Sequence, residues 1–359
     1  MKYYSLKNIL SKNAQYNVIF GERSNGKTYS VLKYGLERYI KYGEQTAIVR
    51  RWSEDFTGKR GQVLYDALVA NNEIVKLTDG EWTNIYYWGS KWYLCRYEDG
   101  KRINSPEPVA YGFSLSAMEH DKSTSYPMIT TILFDEFLTR GAYLPDEFVL
   151  LMNVISTIVR ARRNVTIFML GNTVNKYCPY FAEMGLQHVN KMKPGDIDIY
   201  RYGESDLKVA VEYTRSGKAG KESDLYFAFD NPKLQMITGG AWEIDIYPHC
   251  PVKYRPSDVV FTFYIEFSGD ILECEVVAHE LSTFIFIHRK TGELKYPEKD
   301  LIFSPEFSHL PNWRRKITRP TDLISKRIAD YFVKDKIFYS DNEVGEIVRN
   351  YLIWCGKTL

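Results

Sequence analysis

Eight residues, Gly21-Glu22-Arg23-Ser24-Asn25-Gly26-Lys27-Thr28, constrain the fold of this chain more than any other stretch. They match the phosphate-loop pattern of a glycine, four residues, then Gly-Lys-Ser/Thr. Such a loop works in one setting. A strand must deliver the chain to it, and a helix must start at its lysine so that free N–H groups point at an anion. Both flanks are present. Asn17–Phe20 reads as a short apolar strand. Val31, Leu32 and Leu36 recur at helical spacing after Lys27, Tyr39 and Ile40 continue them, and Gly43 stops the helix. Thr46–Val49 reads as the next strand. Strand, helix, strand predicts a parallel sheet with ligands at the strand carboxyl ends. A plain glycine turn before a helix is the competing reading, and the flanking elements argue against it.

The phosphate loop assigns chemistry to its residues. The backbone from Gly21 to Thr28 would cradle the phosphates of ATP, with Glu22, Arg23, Ser24 and Asn25 as the loop's interior. Lys27 would reach the β and γ phosphates, and Thr28 would ligate Mg²⁺. A second apolar strand, Thr130–Phe134, runs into Asp135-Glu136. Asp135 would hold Mg²⁺ through its water shell, and Glu136 would orient and polarise the attacking water. A glutamate directly after the aspartate favours a hydrolysing motor over a small-molecule kinase, which has no water to activate. Pro145–Val159 reads as a helix and Val165–Leu170 as another buried strand. Asn172, just past that strand, is a candidate γ-phosphate sensor, against an ordinary strand-ending turn. Arg160, Arg162 and Arg163 follow the helix; an arginine acting across a subunit interface competes there with a solvated helix end. Arg50-Arg51 ends the second strand, where a ligand contact competes with a plain salt bridge. Ile85–Tyr87 and Trp92–Cys95 read as a hairpin turning at Gly89-Ser90.

Composition narrows the rest. At 359 residues and 45% hydrophobic content the chain predicts two domains, each with its own core. Five cysteines lie far apart with no CxxC pair, which argues against a zinc site or disulfide framework and for a reducing cytosol. No apolar run approaches the roughly 18 residues of a membrane span, and Met1–Leu10 lacks a signal-peptide layout. The net charge is only +2, so any nucleic-acid surface must be a local patch.

The pattern divides into an ATPase domain at 1–205, a linker at 206–240 and a third region at 241–359. The linker's Arg215-Ser216-Gly217-Lys218-Ala219-Gly220-Lys221 mixes small and basic residues. Lys218 and Lys221 are candidate DNA contacts, against a solvated linker. Val259–Phe267, Ile271–Ala278 and Thr283–His288 read as an antiparallel meander, followed by helices at Asp322–Val333 and Asn342–Trp354. A meander followed by helices predicts an α+β, RNase H-like domain. Glu266, Glu273 and Glu275 lie on its strands, but alternation does not obviously bring them to a helical acid, as two-metal cutting needs. Arg314, Arg315 and Lys316 follow Trp313; such a patch suits nucleic-acid backbone contact, and a solvated charge run competes.

Taken in order, several stretches resemble the DNA-packaging ATPases of phi-29-like podophages, which are related to terminase large subunits. They are the phosphate loop, Ile40-Lys41-Tyr42-Gly43-Glu44-Gln45, Val49-Arg50-Arg51, Asp121 to Pro127, Thr131 to Phe137, and Asn172 with Pro179-Tyr180-Phe181. The resemblance implies an ATPase domain of the additional-strand, catalytic-glutamate (ASCE) class and a nuclease-dead RNase H-like domain. It implies a homopentameric ring docked on the procapsid portal through a packaging RNA, with double-stranded viral DNA through its centre. That motor would act in the host cytoplasm and be absent from the mature virion. Motif by motif, Lys27 and Thr28, Asp135 and Glu136, and Arg160 match its phosphate-loop, acidic and trans-acting positions. Trp52-Ser53-Glu54-Asp55 departs from it, where the resemblance implies another basic residue. A terminase large subunit with an active nuclease, a helicase or other P-loop translocase, and a P-loop regulatory switch remain the alternatives.

Overall fold

The apolar runs around the phosphate loop become neighbouring strands of one large sheet in the computed structural model. It describes residues 3–22, 25–120, 124–139, 143–144, 146–172, 178–203, 205–214, 247–250, 252–267, 269–280 and 282–356. The chain divides into two compact units, residues 1–174 with 186–243 and residues 175–185 with 244–359.

The first unit is built on β1 (Tyr16–Gly21), β2 (Gln45–Arg50), β3 (Asn84–Trp88), β4 (Lys91–Glu98), β5 (Lys101–Asn104), β6 (Ala110–Ser114), β7 (Ile129–Asp135), β8 (Thr166–Asn172), β9 (Ile197–Arg201) and β10 (Lys208–Tyr213). Their order is β3-β4-β6-β2-β7-β8-β1-β10-β9, with β5 paired to β4. From β6 to β10 every pairing is parallel. Parallel strands are covered on both faces, so they read as unbroken apolar runs; every residue of β7 is buried. The helix Lys27–Tyr42 lays Val31, Leu32, Gly35 and Leu36 on the sheet and ends at Gly43, whose φ of 70° suits the left-handed cap. The hairpin expected at Gly89-Ser90 is present, with φ of 57° at both residues and Trp88 opposite Lys91, as a two-residue hairpin turn requires.

The decisive feature of the sheet is the place of β8. It lies between β1, which feeds the phosphate loop, and β7, which ends on Asp135. This inserted strand is the additional strand of the expected ATPase class, and it brings Asn172 level with Gly21.

One boundary needs correction. Residues 208–213 lie inside the segment expected as a linker, yet they form β10 and pair in parallel with β1 from Tyr16↔Val209 to Phe20↔Tyr213. Val209, Ala210, Val211 and Tyr213 are buried. The first unit's sheet therefore extends past residue 205, because an apolar Val-Ala-Val run has an open strand edge to cover. The rest of that expected linker, from residue 215, lies outside the described residues.

In the second unit β11 (Val259–Phe267), β12 (Asp270–His279) and β13 (Ser282–Arg289) form the expected antiparallel meander. The short strands β14 (Ile302–Phe303) and β15 (Trp313–Arg314) add in parallel beyond β11, and β16 (Ile337–Tyr339) adds beyond β13. The order β13-β12-β11-β14-β15 is RNase H-like. Phe263, Ile265, Cys274, Ile285 and Ile287 pack against Val344, Ile347, Val348 and Tyr351 of the helix Asn342–Gly356. Asp322 caps the other expected helix, Leu323–Val333, by accepting from the Ser325 N–H. None of the five cysteines takes part in a disulfide. Among the described residues no helix is long and apolar enough to cross a membrane.

Candidate active site

The phosphate loop sits at the carboxyl edge of the parallel sheet, where β1, β7 and β8 end side by side. Its two glycines are needed for different reasons. A side chain on Gly21 would put its Cβ 2.1 Å from Thr214 Oγ1. Gly26 caps the helix at φ 85°, and a Cβ there would sit 2.6 Å from the Tyr3 ring. The loop's backbone can therefore close only without side chains at these two points. Asn25 adds a brace through its amide, which donates to Thr214 Oγ1 at 2.9 Å. Arg23 and Ser24 lie outside the described residues.

Lys27 is 6% exposed and points across the loop. Its ammonium donates to the Glu22 carbonyl at 2.6 Å, the Gly21 carbonyl at 3.5 Å, Asn25 Oδ1 at 3.3 Å and Asn172 Oδ1 at 3.3 Å. Desolvation by burial pushes its pKa down to about 8, against the pull of Asp135 and Glu22. A lysine held this way is a desolvated donor waiting for an anion.

Thr28 Oγ1 donates to Asp135 Oδ1 at 3.0 Å. The other carboxylate oxygen of Asp135 is held by Arg50 Nη2 at 2.7 Å. Of the two readings of Arg50 from sequence, the structure shows the salt bridge, and its partner is the acid of the site. Arg50 Nε is buried without a hydrogen-bond partner, a spare donor at the phosphate edge. The oxygens of Thr28 and Asp135 are the hard ligands a small divalent cation takes, so the residues present fit Mg²⁺.

Glu136 differs from its neighbours. It is exposed, and its φ is 61°. That left-handed turn ends β7 and leaves the side chain exposed. Phe137 then folds back: its N–H donates to the Leu170 carbonyl at 3.0 Å, and its ring covers Gly171, where a Cβ would come within 2.9 Å of it.

The structure thus brings Gly21, Glu22, Asn25, Gly26, Lys27, Thr28, Asp135 and Asn172 together, with Glu136 at the rim. It does not bring Arg160 to them. Arg160 caps the far end of the helix Glu147–Val159, is exposed, and donates to the Thr124 carbonyl at 3.0 Å. Arg162 is architectural. It donates to the carbonyls of Pro127, Ile129, Tyr126 and Ile158, which removes it as a free arginine.

One partnership was not legible from sequence. Arg51, buried behind Arg50, pairs with Glu147 across 96 positions of chain. Two adjacent arginines closing an apolar strand were the only local signal.

The candidate nucleic-acid residues divide as well. Lys218 and Lys221 lie outside the described residues. Arg314 is engaged by Asp322 at 2.9 Å. Arg315 and Lys316 lie over the Trp354 ring at 5.6 and 5.3 Å, beside a cavity of about 230 Å³ that Arg319 and Phe303 also line. On the same unit, Glu273 and Glu275 do come together, with His288 rather than with a helical acid. Lys290 holds Glu273 at 2.9 Å, and Tyr254 donates to Glu275. Glu266 stands apart from them, its carboxyl pushed up by burial and by the charge of Glu306.

A family model for the podovirus DNA encapsidation protein (Gp16) matches residues 1–80 and 96–224. The DNA packaging protein of Bacillus phage B103 is 33% identical over 265 residues, covering 73% of this chain and 74% of that protein. The chain belongs to the Gp16 DNA encapsidation family. Its counterpart in Bacillus phage phi29, also a DNA packaging protein, is 32% identical over 274 residues, 74% of this chain and 73% of that one. Among solved structures the chain is similar to the Phi-28 gp11 DNA packaging motor, with a TM-score of 0.59 and 16% identity over 99% of both chains. It is also similar to the phi-29 genome packaging motor assembly, with a TM-score of 0.55 and 20% identity over 97% of this chain and 99% of that one. At these identities the likeness is one of fold. The Gp16 match spans the phosphate loop, Asp135-Glu136, Arg160 and Asn172.

Proposed function

We propose that this packaging protein is an ATP-hydrolysing motor subunit that drives double-stranded viral DNA into a procapsid. The observation that carries the reading is the convergence of Lys27, Thr28, Asp135 and Asn172 at one sheet edge, produced by the insertion of β8 between β1 and β7. In this reading the loop backbone and Lys27 bind the β and γ phosphates. Thr28 and Asp135 would hold Mg²⁺, which when bound neutralises phosphate charge. Asn172, touching Lys27, reports on the γ position. Glu136 accepts a proton from the attacking water. Arg50, once Asp135 is otherwise engaged, offers its guanidinium to the phosphates.

The similar solved structures are named as a DNA packaging motor and a genome packaging motor assembly, which supports a subunit that works on DNA within an assembly; the form proposed for that assembly is a ring on the portal with DNA in its channel. The exposed position of Arg160, about 20 Å of helix away from Glu147 at about 1.5 Å per residue, suits an arginine that serves a neighbouring subunit. A pentamer and a packaging RNA complete the proposal. The second unit then serves to bind: Arg315, Lys316 and Trp354 offer a basic and aromatic surface, and Glu273 and Glu275 are already engaged by Lys290 and Tyr254.

Glu136→Gln tests the reading, because an amide cannot take the proton. The variant should bind ATP as the wild type does, hydrolyse it at least about 100-fold more slowly and package no DNA. Wild-type turnover would sink the assignment. Metal-dependent nicking of DNA by the full chain would instead favour an active nuclease.

A further inference from the structure

We propose that Arg51 and Glu147 form a buried clamp whose task is to position the Glu136 turn for hydrolysis, which makes Arg51 a positioning residue. The inference rests on the reading of Glu136 as the group that activates water. Arg51 follows β2 directly, and its side chain is 6% exposed against 1% for Glu147. The guanidinium grips both carboxylate oxygens, Nε to Oε2 at 2.7 Å and Nη2 to Oε1 at 2.8 Å. Its remaining reach goes to two successive carbonyls of the turn: Nη1 donates to Glu136 O at 3.2 Å and Nη2 to Phe137 O at 2.9 Å. Glu147 in turn accepts the Leu144 N–H at 2.6 Å, and the Tyr143 ring lies 5.1 Å from the guanidinium.

Buried ion pairs are poor devices for stability alone, since well-packed apolar residues do as well or better. This one sits where a specific conformation must be held. Glu136 adopts φ 61°, which costs a non-glycine residue about 1 kcal/mol, directly after β7 ends. Only a planar fork with five donors can hold a carboxylate and two carbonyls together. Lysine cannot replace it. The clamp therefore ties the ends of β2 and β7 to the start of the helix Glu147–Val159, and it fixes where the Glu136 carboxylate stands. A misplacement of about 1 Å at such a group costs up to about 100-fold in rate.

The experiment is a double-mutant cycle on the full chain. Arg51→Lys should leave the Kd for ATP within about threefold of wild type while kcat falls about 10- to 100-fold. In a Glu136→Gln background the same change should have no further effect on kcat, because the group being positioned is gone. A merely structural Arg51 would lower kcat equally in both backgrounds, or weaken ATP binding along with it, and either result overturns the proposal. Wild-type kcat for Arg51→Lys overturns it too. If Glu136→Gln alone keeps full turnover, the reading of Glu136 has failed rather than the clamp. Should Arg51→Lys not fold, the paired change Arg51→Met with Glu147→Leu leaves no lone buried charge, and it should fold, bind ATP and hydrolyse slowly. Full turnover in that double variant refutes the clamp.

Discussion

Lys27 is a residue the fold carries at a loss, and replacing it with methionine should make the nucleotide-free protein more stable while abolishing hydrolysis. Burial lowers its pKa from 10.5 to about 8. At about 1.4 kcal/mol per pH unit, that lowering of about 2.5 corresponds to roughly 3 kcal/mol of penalty on the charged form in the folded state. Methionine has a similar length and no charge. It gives up the ammonium's bonds to the Glu22 carbonyl and Asn172, which returns about 1 kcal/mol. The net gain of about 2 kcal/mol should raise the melting temperature by about 4–8 °C for a unit of this size. The sign can be checked with pH. Above about pH 8 the folded protein sheds the Lys27 proton while the unfolded chain still holds it, so wild-type stability rises with pH until about pH 10.5. The advantage of Lys27→Met should thus be full at pH 7 and mostly gone at about pH 10. Thermal melts without nucleotide at both pH values decide the matter. A variant less stable than wild type at pH 7, or an advantage that does not shrink with pH, would refute the reasoning.

Other perturbations follow from particular contacts. A fragment ending at residue 205 loses β10 and bares one edge of β1, so it should aggregate or stay molten, whereas one ending at about residue 224 should fold and bind ATP; nucleotide titration and near-ultraviolet circular dichroism separate the two. Burial holds the Glu212 carboxyl above its usual pKa even though Tyr4 donates to it. Such a group costs stability as pH rises through its folded pKa, so Glu212→Gln should raise the melting temperature at pH 7 and lose that gain as the pH falls below the ordinary carboxylate range. Arg160→Ala should spare ATP binding and remove most hydrolysis, by about 10³–10⁵-fold if it acts as arginines do in other nucleotide hydrolases. Mixed rings of Arg160→Ala with Glu136→Gln subunits should regain part of the activity, and verified mixed rings that regain none would exclude action across the interface.

What the sequence made legible was the chemistry that neighbours in the chain can specify. The phosphate loop is one contiguous stretch, and β1, β2, β7 and β8 are apolar runs whose ends carry the polar residues of the site. The meander of the second unit was equally plain, since its three strands are apolar runs separated by short turns, with alternation from Leu272 to Val276 sorting core from surface. The strands that went unread depend on distant partners. β6 is five residues, Ala-Tyr-Gly-Phe-Ser, and is a strand because β2 lies beside it. β10 looked like the start of a linker because polar residues surround a short apolar core, and its identity comes from β1, nearly two hundred residues earlier. β14, β15 and β16 are two or three residues long, below what any periodic pattern can announce.

Within the site the same division holds, and it separates the reacting groups from those that place them. Lys27, Thr28, Asp135 and Asn172 could be named because each stands at a fixed offset from a glycine or a strand end. That Asn172 touches Lys27 follows from β8 lying next to β1, which the strand order decides and spacing cannot. Arg50 carried two readings, salt bridge or ligand contact, and the structure shows the first, with Asp135 as the carboxylate it pairs with. Arg51 had the same local signature and a different fate. One residue further on, it no longer belongs to β2, and its side chain turns inward to Glu147 rather than outward to the ligand edge. Alternation along a strand predicts that two adjacent arginines diverge. It does not say that one of them meets a glutamate from the first turn of a helix 96 positions away, or that their union holds two carbonyls of the turn on which Glu136 stands. Residues that react stand at positions set by local backbone geometry, so motifs capture them. Residues that position them are chosen by packing, and only the folded chain brings them together.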